Sequence, residues 1–156
     1  MKKREYPPIG TVSHGTMREE DLIPDFMDVL AEYDPKTARR LRKNNPDIFA
    51  WLEDTDEEAP EYTSEFLNED LFNALNEIAP PYTYFGSTEG DGCDYGFWPA
   101  IDSLEYDTDC DIVLKIDAGE PTPKIVGLFY TVNDHGNVSL YQRFRNGRVN
   151  EIWSCV

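Results

Sequence analysis

The chain has 156 residues, with 31 Asp/Glu against 14 Lys/Arg and a formal net charge of −17. That length suits one domain burying about 68–70% of its unfolded surface, and a hydrophobic content of 40% excludes wholesale disorder. Such acidity argues against direct nucleic-acid binding, and no run approaches the ~18 apolar residues of a membrane span.

The charge is segregated. Residues 1–46 hold nine Lys/Arg and eight Asp/Glu, residues 47–120 hold one Lys and 21 acids, and residues 121–156 hold four Lys/Arg and two acids. A self-repelling middle costs stability, so it serves solubility or is offset by a basic partner. Three cysteines (Cys93, Cys110 and Cys155) make an odd count without CxxC spacing. That argues against a disulfide framework or structural zinc and for a reducing cytoplasm. The start MKKREYPPIG is basic but has no apolar run behind it, so it does not read as a signal peptide.

In chain order, residues 1–15 read as an extended lead-in arm. Thr16 with Glu19 forms a capping box. Pro24 is costly inside a helix, so the pattern predicts a short turn at 17–22 and a helix at 24–33. Pro35 opens a basic helix, 35–44, carrying Lys36, Arg39, Arg40, Arg42 and Lys43. Those cations are expected to answer the chain's own acids. Ile48 to Leu52 reads as a short apolar helix. The run Glu53 to Glu65 is a loop with seven acids in thirteen residues. A helix capped by Thr63 or Ser64 then extends to about Ile78, with Phe66, Leu67, Leu71, Phe72 and Leu75 at helical spacing.

The stretch Tyr82 to Pro99 reads as two aromatic strands, Tyr82–Gly86 and Tyr95–Trp98, joined by an acidic loop from Ser87 to Asp94. After Pro99 an unpatterned segment leads into a strand, Ile112–Asp117, and three further strands follow. Asp134-His135-Gly136 suits a three-residue hairpin loop, and Asn146-Gly147 a two-residue one. Both turns put Val138, Leu140, Phe144 and Trp153 on one face, with Tyr141 and Arg143 on the other. The second turn sets Arg145 across from Arg148, which is unfavourable unless an acid or another anion lies between them.

Chemical motifs are sparse. Gly86 to Gly92 lacks the Lys and following helix of a phosphate loop. Asp107, Asp109 and Asp111 alternate like calcium ligands, but Ile112 and Ala118 stand where an EF-hand needs Gly and Glu. A non-standard cation site with Glu89, Asp91 or Asp94 is the one metal arrangement left open. His14 and His135 stand in no catalytic signature with a Ser or Cys. The expectation is a non-enzymatic protein without cofactor or metal.

Thr16-Met17-Arg18 with Asp21-Leu22-Ile23-Pro24, Tyr84-Phe85-Gly86 with Gly90-Asp91-Gly92, Phe97-Trp98-Pro99, Val132 to Val138, and Glu151-Ile152-Trp153 together resemble small acidic proteins encoded by phages, prophages and plasmids. The resemblance spans residues 14–156 outside the acidic run 53–65, and it implies a mobile-element origin.

The expected fold is α+β in a single domain, 1–156. A helical half (16–79, about four helices) packs on one antiparallel sheet of about five strands (82–156) that ends in a C-terminal meander. The expected function is cytoplasmic binding of a basic host protein, imitating nucleic acid in counter-defence. The expected surface is Glu57, Glu58, Glu61, Glu89, Asp91, Asp94, Asp107, Asp109 and Asp111. Alternatives are an immunity-type inhibitor of a toxin nuclease, a cation-dependent enzyme or a structural accessory protein.

Overall fold

Apolar side chains at helical spacing from Leu22 onward outweigh a proline in the first helix. In the computed structural model, which describes residues 5–117 and 119–156, α1 runs unbroken over Glu19–Tyr33 with Pro24 inside it. The predicted break does not occur. Pro24 removes one hydrogen bond near the helix start at about 3 kcal/mol. Leu22, Ile23, Phe26, Met27 and Leu30 are all at most 2% exposed. Each such side chain contributes about 1.5–3 kcal/mol on burial, so the burial wins. The capping box also fails to form. The N-cap is Arg18, and the Thr16 hydroxyl donates to Asp21 Oδ2 (2.7 Å) instead.

Helix α2 (Pro35–Asn44) has the predicted bounds. Its N-cap Asp34 accepts from the Thr37 N–H at 3.2 Å, and bonding to Thr37 holds the Asp34 carboxyl below its ordinary value. A depressed folded pKa stabilises above the unfolded value near 4 and loses that contribution as pH falls through the folded value. Asp34→Ala is therefore expected to cost about 1 kcal/mol at neutral pH. Thermal melts of parent and variant should differ at about pH 7 and converge at about pH 2.

Helix α3 (Pro46–Trp51) buries Ile48 completely. Helix α4 covers 63–78, opening as Thr63–Glu65, widening into π-helical turns over Phe66–Leu71 and closing as Phe72–Ile78. The π turns let Phe66 and Leu71, five residues apart, face inward together; both are at most 1% exposed. No side chain caps α4; the Thr63 hydroxyl turns back to the Pro60 carbonyl at 2.7 Å.

Two strands of the aromatic stretch are longer than predicted. Strands β2 (Thr83–Thr88) and β3 (Asp91–Pro99) leave only Glu89-Gly90 between them, so the expected eight-residue loop is a tight hairpin. Part of the lead-in arm is also a strand, β1 (Gly10–His14), antiparallel to β3 in a three-stranded sheet of order β1-β3-β2. Residues 1–4 of that arm lie outside the described residues.

The chain divides into two compact units. One comprises the described residues up to Ala79 with Tyr84–Trp98; the other comprises Pro80–Thr83 with Pro99–Val156. In the first, α1 to α4 and the three-stranded sheet share a core centred on Phe26. Its ring lies edge-on to Phe85 (4.8 Å) and Tyr95 (5.6 Å), and Phe85 continues to Phe97 at 5.1 Å.

In the second unit, residues expected to be irregular form α5 (Ile101–Asp109). A four-stranded sheet follows in the order β4-β5-β6-β7: Leu114–Asp117, Gly127–Val132, Val138–Arg143 and Val149–Cys155. The single five-stranded sheet is thus replaced by two sheets. The second is not wholly antiparallel, because β4 runs parallel to β5. Helix α5 lies on the Tyr130 face, where the Thr108 hydroxyl meets the Tyr130 hydroxyl at 3.1 Å.

The β5–β6 pairing has the predicted register, with Tyr130 opposite Leu140 and Val132 opposite Val138. The β6–β7 turn does not. Phe144 bonds Arg148, Gly147 takes φ +84, and the loop is the three residues Arg145-Asn146-Gly147. Arg145 and Arg148 are therefore not cross-strand neighbours. A register shift between Leu140 and Tyr141 then cancels the extra loop residue, so Trp153 still falls opposite Leu140 and Cys155 opposite Val138. Val138, Leu140 and Trp153 are buried as expected, and Phe144 is half-buried.

Candidate functional site

The acidic surface is built around the start of α1. Glu19, Glu20 and Asp21 occupy the first turn, where the helix dipole favours negative charge. Further along, Asp21, Asp25, Asp28 and Glu32 are all exposed. At 100° per residue they fall within about 60° of arc, opposite the buried Leu22–Leu30 face, and at 1.5 Å per residue they span about 16 Å. One strand of duplex DNA places about five phosphates on the same rise. The row lies outside the expected surface, although its signal is present in the sequence: acids spaced i, i+4, i+7, i+11 interleave with the apolar period.

Three side-chain bonds tie the acidic segments to their neighbours. The Ser64 hydroxyl donates to Glu19, bringing the exit of the acidic loop against the first turn of α1. Within that loop Glu57, Glu58 and Glu61 are exposed, and the Trp51 indole N–H donates to the Glu57 carbonyl at 3.0 Å. Thr16 bonds Asp21 as described, and His14 Nε2 donates to Asp91 Oδ2 at 3.0 Å. That last contact fixes the β2–β3 hairpin end, with Glu89 exposed at the turn.

Asp91 is held further by the Cys93 N–H at 2.9 Å. That bond, then His14, sets its carboxyl below the ordinary value. Asp94 pairs across the strands with His14 and is half-buried; its Oδ1 is shielded from solvent with no hydrogen-bond partner. Six of the expected surface residues (Glu57, Glu58, Glu61, Glu89, Asp91 and Asp94) thus belong to the first unit.

The other three, Asp107, Asp109 and Asp111, belong to the second unit. Asp107 and Asp109 lie on α5, where residues two apart point about 200° from each other, so the alternating spacing does not converge on one point. Asp107 accepts the Tyr82 phenol at 2.6 Å; burial first, then this carboxylate, pushes the Tyr82 pKa up to about 12. Among the described residues no three His, Cys, Asp or Glu side chains stand close enough to hold a metal ion.

No family model, curated protein or solved structure matches the chain.

Cations meet this surface at two places only among the described residues. Among the described residues the ion pairs are Arg18 with Glu20 and His14 with Asp91. Neither the α2 cations nor Arg143, Arg145 and Arg148 reach a carboxylate within ion-pairing distance, against expectation. Arg42 instead sits over the Phe49 ring at 4.4 Å, and Arg148 Nε donates to Asn150 Oδ1 at 3.0 Å. Exposed pairs on long side chains return little energy for the entropy they cost, so α2 keeps its charge in solvent. Among the described residues no helix is long and apolar enough to cross a membrane.

Proposed function

We propose that this protein is a non-enzymatic binding protein of a mobile element. Its acidic surface occupies the cationic groove of a host nucleic-acid-binding protein in place of nucleic acid. The observation that carries this reading is the exposed row Asp21, Asp25, Asp28 and Glu32 along one face of α1, with the exit of the loop that bears Glu57, Glu58 and Glu61 bonded to the first turn through Ser64 and Glu19, and the hairpin end with Glu89 and Asp91 held to β1 by His14. Solubility alone needs net charge and does not need the charges in a row. The resemblance of residues 14–156 to phage and plasmid proteins implies the mobile-element origin and nothing about mechanism.

Such a surface works chiefly through steering. Opposed fields raise the rate of encounter, and removing rim charges slows association more than it speeds dissociation. Asp21→Lys, Asp25→Lys and Asp28→Lys together should lower the association rate with the partner about tenfold or more at low salt. The parent's association should fall steeply as salt shortens the screening length below about 8–10 Å. Surface plasmon resonance across a salt series reads both effects. An association rate indifferent to salt and to the triple variant counts against the proposal.

A further inference from the structure

The second unit leaves one sheet edge open. Strand β4 pairs with β5 on one side and, among the described residues, has no strand on the other. Around its start, Ile112 (68% exposed), Leu114 (41%), Ile125 (73%) and Val126 (53%) line one groove of about 370 Å³ with Val113 and Phe129. That groove runs between the starts of β4 and β5, and the free edge of β4 is a separate surface left available for strand pairing.

We infer that β4 pairs antiparallel with β4 of a second copy of this chain, joining two four-stranded sheets across a two-fold axis. The charges on the strand itself identify the occupant. Leu114-Lys115-Ile116-Asp117 is self-complementary about Ile116: in that register each Lys115 faces the Asp117 of the other copy, and Ile116 meets Ile116. Centring the pair on Lys115 would set like charges opposite each other. Centring it between Lys115 and Ile116 would set each charge against an apolar side chain. Opposite charges across a strand pair stabilise and like charges destabilise, so electrostatics selects the Ile116-centred register. The interface is isologous and closes at two copies. It is independent of the acidic surface of the first unit, so either proposal can fail without the other.

The test is sedimentation velocity from about 1 to 500 µM, a range suited to a small interface. The parent should pass from monomer to dimer. Lys115→Asp sets Asp against Asp117, and Asp117→Lys sets Lys against Lys115; each should weaken dimerisation about tenfold or more. The double variant Lys115→Asp/Asp117→Lys keeps the parent's net charge and restores both pairs, so its dissociation constant should return to within about threefold of the parent's. Both side chains are exposed, and thermal melts should confirm that the single variants stay folded. A parent that stays monomeric throughout overturns the inference. So does a dimer indifferent to the single variants, or a double variant no better than either.

Discussion

Gly96→Ala is expected to disrupt the first unit. Gly96 lies opposite Thr11 where β3 meets β1, and a Cβ there would fall 2.0 Å from the Gly10 carbonyl oxygen and 3.0 Å from the Thr11 Cα. Those are backbone atoms, which cannot swing aside as a flexible side-chain end can. Overpacking costs about 1–3 kcal/mol where side chains can yield, so a backbone clash lies at the upper end of that range or beyond it. The strand pair must part or slide, and β1 carries the His14–Asp91 contact at the hairpin end. Denaturant unfolding should show a lower midpoint, and amide exchange should show early loss of protection over 10–14 and 94–97. A variant as stable as the parent, with those amides still protected, would contradict the close β1–β3 approach.

Trp153→Ala should have a comparable effect on the second unit. Trp153 is 4% exposed opposite Leu140, and its indole N–H donates to the Pro81 carbonyl at 2.8 Å. Truncation removes a large buried side chain and orphans that carbonyl, for about 3–5 kcal/mol in all. Trp153→Phe keeps most of the apolar volume and loses the hydrogen bond, so it should cost less than Trp153→Ala. Urea unfolding of the two variants side by side separates the packing contribution from the hydrogen bond.

The sequence made the β5–β6 register legible because strand alternation and turn chemistry agreed at Val132, Leu140 and Val138. Its reading of the β6–β7 turn failed locally, since Asn146-Gly147 serves a three-residue loop as well as a two-residue one. The compensating shift near Ile152 left no mark in composition. Helix α5 was missed because Leu104 is its one buried residue, so its apolar period is faint. The parallel β4–β5 pair was missed because its connection, residues 118–126, is shorter than the dozen or more residues usual for such a crossover. Pro24 misled because local cost was weighed without the burial that offsets it.

For the candidate surface, the acidity of the loop and hairpin was plain in the sequence. What joins them was not, since the Ser64–Glu19 and His14–Asp91 contacts link residues 45 and 77 positions apart. The acids at the end of α5 are a further sign that charge is placed at some expense. Asp107 and Asp109 lie at the helix terminus where the dipole disfavours them, with no basic residue in the last turn.

Nucleic-acid mimicry stands or falls on mutual exclusion. The partner retained by the tagged chain from host cells would be mixed with its own fluorescently labelled nucleic acid and titrated with this protein. Displacement should be complete, and it should weaken when Asp21, Asp25, Asp28, Glu57, Glu58 and Glu61 are reversed in charge. A ternary complex, with partner, nucleic acid and this protein bound together undisturbed, would contradict it.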